Sequence, residues 1–270
     1  MKTATVPILT QVSELLQESG IPLFGTGPAH LLAGEPEGYR PMDLLPSAKS
    51  LLCAGLPVPR GVLCGGNRAM ETTWRTHNLY YRKMDELMLQ LCLLLEEGGD
   101  EAVPVFGCYP MELHEGGAIW GFLSLVRMAA AVEIGGLGRN GLLLHSRYGP
   151  TLILGGLVTS ADLPHQAWPE AEAFACPEGC TACREACPVA AIGPTGRVDM
   201  IRCLRHSSKT PQFAYFLKAR DWRPEDRDAL FLTSTVDEHN LNTCSLCVTA
   251  CPAMRGANYV KSAIKEIGCL

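Results

Sequence analysis

The sequence predicts a mixed α/β domain followed by a smaller domain rich in cysteine. Helical and strand patterns alternate through residues 1–167, with glycine and proline at the breaks between them. After the proline-bearing stretch 163–169 the composition changes to cysteine, proline and short loops. The chain has 270 residues and is 47% hydrophobic, which is enough to bury a core in each part. We therefore expect domains at 1–167 and 168–270.

Periodicity and turn residues place the elements of the first domain. Apolar residues at helical spacing run up to Gly20, which ends the first helix. Short apolar runs bounded by proline or glycine are typical of buried strands, and the segment Gly25–Pro28 is expected to break the first of them. The patterns predict helices over 1–19, 72–97 and 118–134, strands over 21–24, 50–56, 103–106, 142–145 and 152–159, and a loop over 61–70.

Most of the cysteines of the second domain lie in two runs with ligand spacing. The runs are Cys176-x3-Cys180-x2-Cys183-x3-Cys187-Pro188 and Cys244-x2-Cys247-x3-Cys251-Pro252, and Cys203 lies between them. In two-cluster ferredoxins the pattern C-x2-C-x2-C-x3-C-P binds [4Fe–4S] clusters, and its last cysteine ligates the other cluster. Thiolates are soft donors that suit iron. The spacing therefore predicts two [4Fe–4S] clusters.

This exchange of the last cysteine assigns four ligands to each cluster. The first takes Cys176, Cys180, Cys183 and Cys251; the second takes Cys187, Cys244, Cys247 and, as our choice over Cys269, Cys203. A pair of zinc sites is the alternative, but zinc does not require two C-x2-C-x3-C-P runs. The other four cysteines are isolated and are expected to be small buried hydrophobes: Cys53, Cys64, Cys92 and Cys108.

Charge and the start of the chain suggest a compartment and exclude some partners. The net charge is −5, whereas nucleic-acid binding usually needs a basic footprint. Residues 1–20 lack a basic region followed by an apolar stretch, and no apolar run approaches the roughly 20 residues of a membrane span. We therefore expect a cytoplasmic protein with neither nucleic acid nor a membrane as partner.

The glycines of Gly136-x-Gly138-x-x-Gly141 match a dinucleotide-binding fingerprint in letters only. That fingerprint follows a strand and opens a helix, whereas here a predicted helix precedes it and a predicted strand follows. We therefore expect no dinucleotide site. A helix end and turn without any ligand is one alternative, and close approach of the glycine backbone to another ligand is the other.

Three short segments precede the cysteine runs in a fixed order. They are Gly135-Gly136-Leu137-Gly138-Arg139-Asn140-Gly141-Leu142-Leu143, Ser146-Arg147-Tyr148-Gly149-Pro150 and Thr159-Ser160-Ala161-Asp162-Leu163-Pro164, and nearer the start stand Gly20-Ile21-Pro22-Leu23-Phe24-Gly25-Thr26-Gly27 and Ala48-Lys49-Ser50-Leu51-Leu52. With the cysteines downstream, this order resembles the cobalamin-binding core of epoxyqueuosine reductases and reductive dehalogenases. The resemblance covers most of the chain.

The resemblance implies a nitroreductase-like domain that holds base-off cobalamin, followed by a ferredoxin-like domain with two clusters. It implies that two loops contact the corrinoid, with Arg139 as a phosphate partner. The implied contacts are Gly136, Leu137, Gly138, Arg139, Asn140, Gly141, Leu142, Ser146, Tyr148 and Gly149.

The chain departs from both families at the catalytic position. Epoxyqueuosine reductases carry a catalytic aspartate after the third strand, but residues 106–112 contain none, and no twin-arginine signal like that of respiratory dehalogenases is present. Tyr109 is a weak candidate for a catalytic tyrosine, beside Tyr80 and Tyr81, and His114 and His145 are candidate cobalt ligands. For each of these a packed or hydrogen-bonded structural role is the alternative.

The leading functional hypothesis is a cobalamin-dependent reductase. A low-potential donor such as ferredoxin or flavodoxin passes electrons through two clusters to the corrinoid, which reduces a small molecule. One alternative is a non-catalytic corrinoid carrier, or an electron-transfer protein that reactivates the cobalamin of a partner corrinoid protein. Another is a flavin-dependent nitroreductase-like oxidoreductase.

Overall fold

The structure is a computed structural model that describes residues 7–64, 66, 69–108, 110–114, 119–167, 176–207 and 244–255. Its strands are β1 Leu23–Pro28, β2 Ser50–Pro57, β3 Ala102–Val105, β4 Met111–Leu113, β5 Ile119–Gly121, β6 Gly136–Leu137, β7 Leu143–Leu144 and β8 Leu152–Thr159. Its helices are α1 Ile8–Glu18, α2 Pro41–Leu44, α3 Arg60–Leu63, α4 Ala69–Glu97, α5 Leu125–Ala131, α6 Ala182–Glu185, α7 Met200–Ser207 and α8 Leu246–Thr249, with 3-10 turns at Ala29–Leu32 and Pro252–Arg255.

A four-stranded antiparallel sheet in the order β1-β2-β8-β3 forms the centre of the fold. The two middle strands pair along their whole length, from Ser50 opposite Thr159 to Pro57 opposite Leu152. Both are buried almost throughout, which agrees with their unbroken apolar sequences. Helices and strands thus mix as predicted, and the antiparallel pairing makes the arrangement α+β.

Helices cover both faces of this sheet. On one face α1 and α4 pack Leu16 and Met88 against Leu52. On the other, α5 packs Met128 against Leu51. Adjacent residues of β2 reach opposite layers because side chains alternate across a strand. Both layers bury leucine and methionine side chains, each of which contributes about 1.5–3 kcal/mol of transfer free energy. Within the described residues, every helix is too short or too polar to cross a bilayer.

Three predicted elements have different bounds in the structure. Strand β1 does not break at Gly25 but continues to Pro28, because a glycine there lets the backbone lie directly against Val132, the residue that follows α5. The predicted helix over 118–134 is wrong in its first part, where β5 pairs with β4. The helix starts only at Leu125, where the Ser124 side chain accepts a hydrogen bond from the Arg127 N–H. The expected loop over 61–70 contains most of α3 and the start of α4.

Candidate functional site

Four cysteines of the second part line one pocket. The pocket is lined by Arg139, Asn140, Leu144, Cys176, Pro177, Cys180, Cys183, Cys251, Pro252 and Ala253. Burial raises the pKa of the Cys251 thiol to about 11, and the nearby Cys176, Cys183 and Cys180 raise it too. The pKa of Cys183 is raised in the same way by burial, Cys176 and Cys180. We call these four residues, Cys176, Cys180, Cys183 and Cys251, the first cysteine group.

The other four described cysteines of the second part form a second group beside the first; Cys269 lies outside the described residues. Burial raises the pKa of Cys247 to about 12, with contributions from Cys203, Cys244, Cys183 and Cys187. The pKa of Cys203 is raised by burial and then by Cys244 and Cys187. The second cysteine group is therefore Cys187, Cys203, Cys244 and Cys247. Cys183 belongs to the first group and still acts on Cys247, so the two groups adjoin.

Two short helices of matching geometry carry the inner cysteines. Cys183 lies in α6 and Cys247 in α8, and these two helices contact each other. In each, the residue just before the helix accepts from two N–H groups of the turn, Thr181 in one case and Ser245 in the other. The turn ends one residue after the helix, and Cys187 or Cys251 follows, succeeded by proline. This geometry directs the last cysteine of each run toward the opposite group.

Four clustered sulfurs suit a multinuclear iron centre. Thiolates held this close together repel one another, and bound metal cations remove that penalty because they stabilise the deprotonated form. Among the described residues, no three His, Cys, Asp or Glu side chains are arranged to hold one metal ion. A [4Fe–4S] cluster has its own requirement, since its cysteines bind different iron atoms. The donor set of each group fits such a cluster.

The loop between β6 and β7 lies on the first cysteine group. The Arg139 N–H donates to Sγ of Cys176 at 3.3 Å, and its guanidinium Nη1 donates to the carbonyl oxygen of Cys180 at 2.7 Å. Asn140 is 7% exposed and lines the same pocket. β6 and β7 pair as a hairpin here, so no helix opens after the glycines, in agreement with the rejection of a dinucleotide site.

The turn 146–149 ties the sheet to the segment that follows Cys251. Nδ1 of the buried His145 accepts hydrogen bonds from the N–H groups of Arg147 and Tyr148 at 3.0 and 3.3 Å. The imidazole also contacts the Tyr148 ring at a tilt of 38°, with centroids 5.1 Å apart. The structure therefore gives His145 a structural role in the turn. Gly149 packs directly on the backbone of Ala253.

Of the ten residues that the resemblance implied for corrinoid contact, only some face outward. Leu137 is 53% exposed, whereas Asn140 and Gly149 are buried against the cysteine segments. An exposed apolar residue at the end of strand β6 suits contact with the flat face of a large ring. The corrinoid contacts remain a prediction.

Titratable side chains flank the segment after β3, where the resemblance places a catalytic aspartate. On one side the Tyr39 hydroxyl donates to Oε2 of Glu112 at 2.6 Å and lies 2.6 Å from Nε2 of His114. On the other side the Gly107 N–H donates to Oδ1 of Asp85 at 3.3 Å. Burial raises the pKa of Asp85 to about 6.

The three candidate catalytic tyrosines differ in their surroundings. Tyr109 lies outside the described residues. Tyr81 lies against Gly107, and burial raises its pKa above the ordinary value, with Cys108 and Asp85 adding to the shift. Tyr80 packs against the core. Sequence analysis missed Tyr39 and Asp85 because nothing in their local sequence distinguishes them from surface residues; only the contact with residues 107–114 does so.

The fold is mixed α/β with two adjoining cysteine groups, and comparisons with known proteins show which proteins it resembles. No family model matches the chain. Two curated relatives are epoxyqueuosine reductases. The one from Lactococcus garvieae is 30% identical over 138 residues, which is 51% of this chain and 34% of the relative. The one from Bacillus cereus is 23% identical over 235 residues, which is 81% of this chain and 52% of the relative. The chain therefore spans about a third to a half of these relatives.

Solved structures show the same fold. Epoxyqueuosine reductase from Streptococcus thermophilus aligns with a TM-score of 0.58 at 18% identity, covering 93% of this chain and 67% of that one. A reductive dehalogenase, described in terms of B12-dependent dehalogenation, aligns with a TM-score of 0.51 at 14% identity, covering 86% and 37%. These matches confirm the predicted resemblance to the core shared by epoxyqueuosine reductases and reductive dehalogenases.

The exclusion of nucleic acid as a partner is wrong. The curated relatives are epoxyqueuosine reductases. Another structure of such an enzyme contains an epoxyqueuosine-modified tRNA-Tyr stem loop, and it aligns with a TM-score of 0.52 at 20% identity, covering 93% of this chain and 67% of that one. Net charge is a poor guide to RNA binding because it averages the whole surface, whereas an RNA stem loop contacts only a local part of it.

Proposed function

We propose that this chain is an oxidoreductase that passes electrons through two [4Fe–4S] clusters to a bound corrinoid. The first cysteine group would hold one cluster and the second group the other. The observation that supports this most is the contact of the β6–β7 loop with the first group, through the bonds from Arg139 to Cys176 and Cys180. It supports the proposal because the loop implied in corrinoid binding contacts two of the cysteines that would hold one cluster.

In this proposal residues 168–270 act as a ferredoxin-like electron relay. A low-potential donor such as ferredoxin or flavodoxin supplies single electrons. The adjoining cysteine groups would keep the two clusters close, since Cys183 of the first group lies near enough to Cys247 of the second to raise its pKa. Residues 1–167 form the nitroreductase-like part, which binds the corrinoid in its base-off form and shields it from water.

Cobalamin is the cofactor that the sequence resemblance and the fold favour. When bound, it supplies a cobalt centre able to accept electrons and to act on a reducible carbon. The structural neighbour with B12-dependent chemistry shares this fold. On this chain, exposed Leu137 would help to hold the corrinoid through apolar contact, and the guanidinium of Arg139 would offset negative charge near the first cluster. His145 would hold the shape of the turn.

The titratable groups around 107–114 favour an enzyme over a carrier. A reductase needs a proton source near the reacting carbon. The Tyr39 hydroxyl, which is hydrogen-bonded to Glu112 and next to His114, is such a source, and its partners can resupply the proton. Asp85, with a pKa of about 6, is the second acid at this segment. We assign Tyr39 as the proton donor.

The sequence and the relatives favour two different substrate classes. A small reducible molecule is the class that the sequence analysis favoured. A modified nucleoside in tRNA is favoured by the curated relatives and by the stem-loop complex of a neighbour. Each is tested with reduced methyl viologen as electron donor, with either a bromophenol or an epoxyqueuosine-modified stem loop as substrate. Conversion of one and not the other identifies the class.

The decisive experiment is an oxygen-free preparation from cells supplied with cobalamin, followed by metal analysis and spectroscopy. We expect about eight iron atoms per chain, corresponding to two [4Fe–4S] clusters, together with about one cobalt per chain on the one-corrinoid stoichiometry of such enzymes. Iron without cobalt would remove the corrinoid part of the proposal. A released flavin would favour the nitroreductase-like alternative, and a colourless protein containing zinc would overturn the whole proposal.

A further inference from the structure

We propose that Asn140 raises the reduction potential of the first cluster through a hydrogen bond from its side-chain amide to a cluster sulfur. This inference rests on the proposed function, because it requires a cluster in the first cysteine group. It adds that the reduction potential of this cluster is set in part by a residue of the β6–β7 loop, outside the cysteine runs. The loop would therefore both carry the corrinoid and tune its electron donor.

The geometry of Asn140 shows a donor without an acceptor. Its side chain is 7% exposed, and among the residues that the structure describes Nδ2 has no hydrogen-bond partner. Leaving a buried amide unsatisfied costs free energy, so native proteins nearly always pair such groups. Asn140 lines the pocket together with all four cysteines of the first group. A cluster in that pocket brings sulfide and thiolate sulfurs, which accept hydrogen bonds.

The surroundings also fix which end of the amide faces the pocket. Oδ1 accepts the Leu142 N–H at 3.3 Å, and a backbone N–H has to be met by the oxygen end of the amide. The hairpin around it is closed by hydrogen bonds from the Gly138 N–H to the Leu142 carbonyl and from the Gly141 N–H to the Gly138 carbonyl, at 2.8 and 3.0 Å. The amide therefore presents its NH₂ group to the cluster site and cannot rotate without losing the Leu142 bond.

Hydrogen bonds to cluster sulfurs favour the reduced form. Reduction adds negative charge that spreads onto sulfur, and a donor stabilises this charge, so the potential rises. The Arg139 N–H already donates to Sγ of Cys176, and Asn140 would supply a second donor from the next residue. The second group has its own donors, the Ala191 N–H to Cys187 and the Ser207 side chain to Cys203. Each cluster can therefore be perturbed separately.

The test is an oxygen-free redox titration followed by electron paramagnetic resonance of the reduced clusters. It uses the full chain purified without added cobalamin, as wild type and as the Asn140→Ala and Asn140→Asp variants. Alanine removes the donor. Aspartate keeps the acceptor for Leu142 but replaces the NH₂ group with a negatively charged oxygen. Ser207→Ala is the matched control at the second group, and the Cys203→Ser variant, expected to lack the second cluster, assigns the signals.

We expect both Asn140 variants to lower the potential of the first cluster and to leave the second unchanged, with full iron content. At the wild-type midpoint the reduced-to-oxidised ratio of the first cluster should fall about tenfold, equivalent to about 59 mV for a one-electron couple. The decrease should be larger for aspartate, and Ser207→Ala should shift only the second cluster.

Two results would overturn the inference while leaving the proposed function intact. One is unchanged potentials for both clusters in both Asn140 variants. The other is loss of about four irons from both variants, which would give Asn140 a role in cluster retention instead. Failure of the proposed function has a different signature, namely a wild-type protein that lacks the two clusters before any variant is compared.

Discussion

Gly149 lies against the backbone of Ala253. This contact connects the turn 146–149 with the segment that follows Cys251. A β-carbon at residue 149 would overlap the carbonyl group of Ala253 and crowd Met254. The φ angle of Gly149 is +62°, a conformation that residues with a β-carbon rarely adopt. Met254 in turn packs with Val58, Leu63 and Ile153. This contact holds the first cysteine group in place beneath the β6–β7 loop.

Gly149→Ala is therefore expected to weaken that contact. The overlap with Ala253 and the left-handed backbone should together lower the free energy of unfolding by about 1–3 kcal/mol. Cluster occupancy should fall with it, because the Cys251 segment loses its support. Thermal unfolding and iron analysis measure the two effects. Gly34→Ala is the control, since nothing lies within 4 Å of a β-carbon there. Equal behaviour of the two variants would contradict the packing argument.

The two cysteine groups predict which iron is lost in each variant. Cys251→Ser should remove the first cluster and Cys203→Ser the second, so each should retain about four of about eight irons. The remaining clusters should give different electron paramagnetic resonance spectra, because different cysteines and donors surround them. The prediction that Cys64 is buried is wrong, since it is exposed and lies outside both groups. Cys64→Ser should therefore keep all the iron. Identical remaining spectra from the first two variants would refute the grouping.

Asp85 should make stability fall as pH rises from about 4 to about 6. Burial raises its pKa in the folded state from 3.8 to about 6, so the folded protein binds more protons in this window than the unfolded chain does. Its contribution is fully present below the unfolded pKa and lost as pH rises through the folded pKa. Asp85→Asn, which keeps an oxygen acceptor for the Gly107 N–H, should gain stability relative to wild type across this window. Urea unfolding at several pH values measures the difference.

His77 should give the opposite slope over nearly the same range. Burial lowers its pKa from 6.5 to about 4, so the unfolded chain binds more protons and stability rises with pH through this window. The wild-type profile therefore combines two opposing slopes. As pH falls below about 6, the free energy of unfolding of His77→Gln should decrease less steeply than that of wild type. Matching slopes for this variant and for Asp85→Asn would disprove both assignments.

Tyr39→Phe tests the proposed proton donor. The substitution removes the hydroxyl that bonds Glu112 and contacts His114, while the ring still packs edge-on against Trp120 at 4.7 Å. Turnover of the converted substrate should fall about a hundredfold, a typical contribution of general acid catalysis. Stability should fall by only about 1 kcal/mol, and iron content should not change. Tyr80→Phe, at a half-buried position of α4 that packs against the core, is the control. Undiminished turnover would exclude Tyr39 as the donor.

Much of the fold was predictable because its signals are local. Helix α4, strand β2 and strand β8 follow from unbroken apolar or periodic runs, and their observed bounds lie within three residues of the prediction. The hairpin β4–β5 was not predictable in this way. Its first strand has only three residues, and its pairing depends on contact with a second strand rather than on its own sequence.

The cysteine segments predict iron–sulfur binding from local sequence alone. Spacing of two or three residues fixes how far apart thiols can lie along a short turn, so the cysteine runs alone predict cluster binding, and the assignment of ligands to each cluster remains a prediction. Tertiary structure decided what surrounds those sulfurs. Arg139 lies 37 residues from Cys176, and Tyr39 lies 73 residues from Glu112. Such contacts exist only after the chain folds, because no local rule of propensity or spacing relates residues so far apart in sequence.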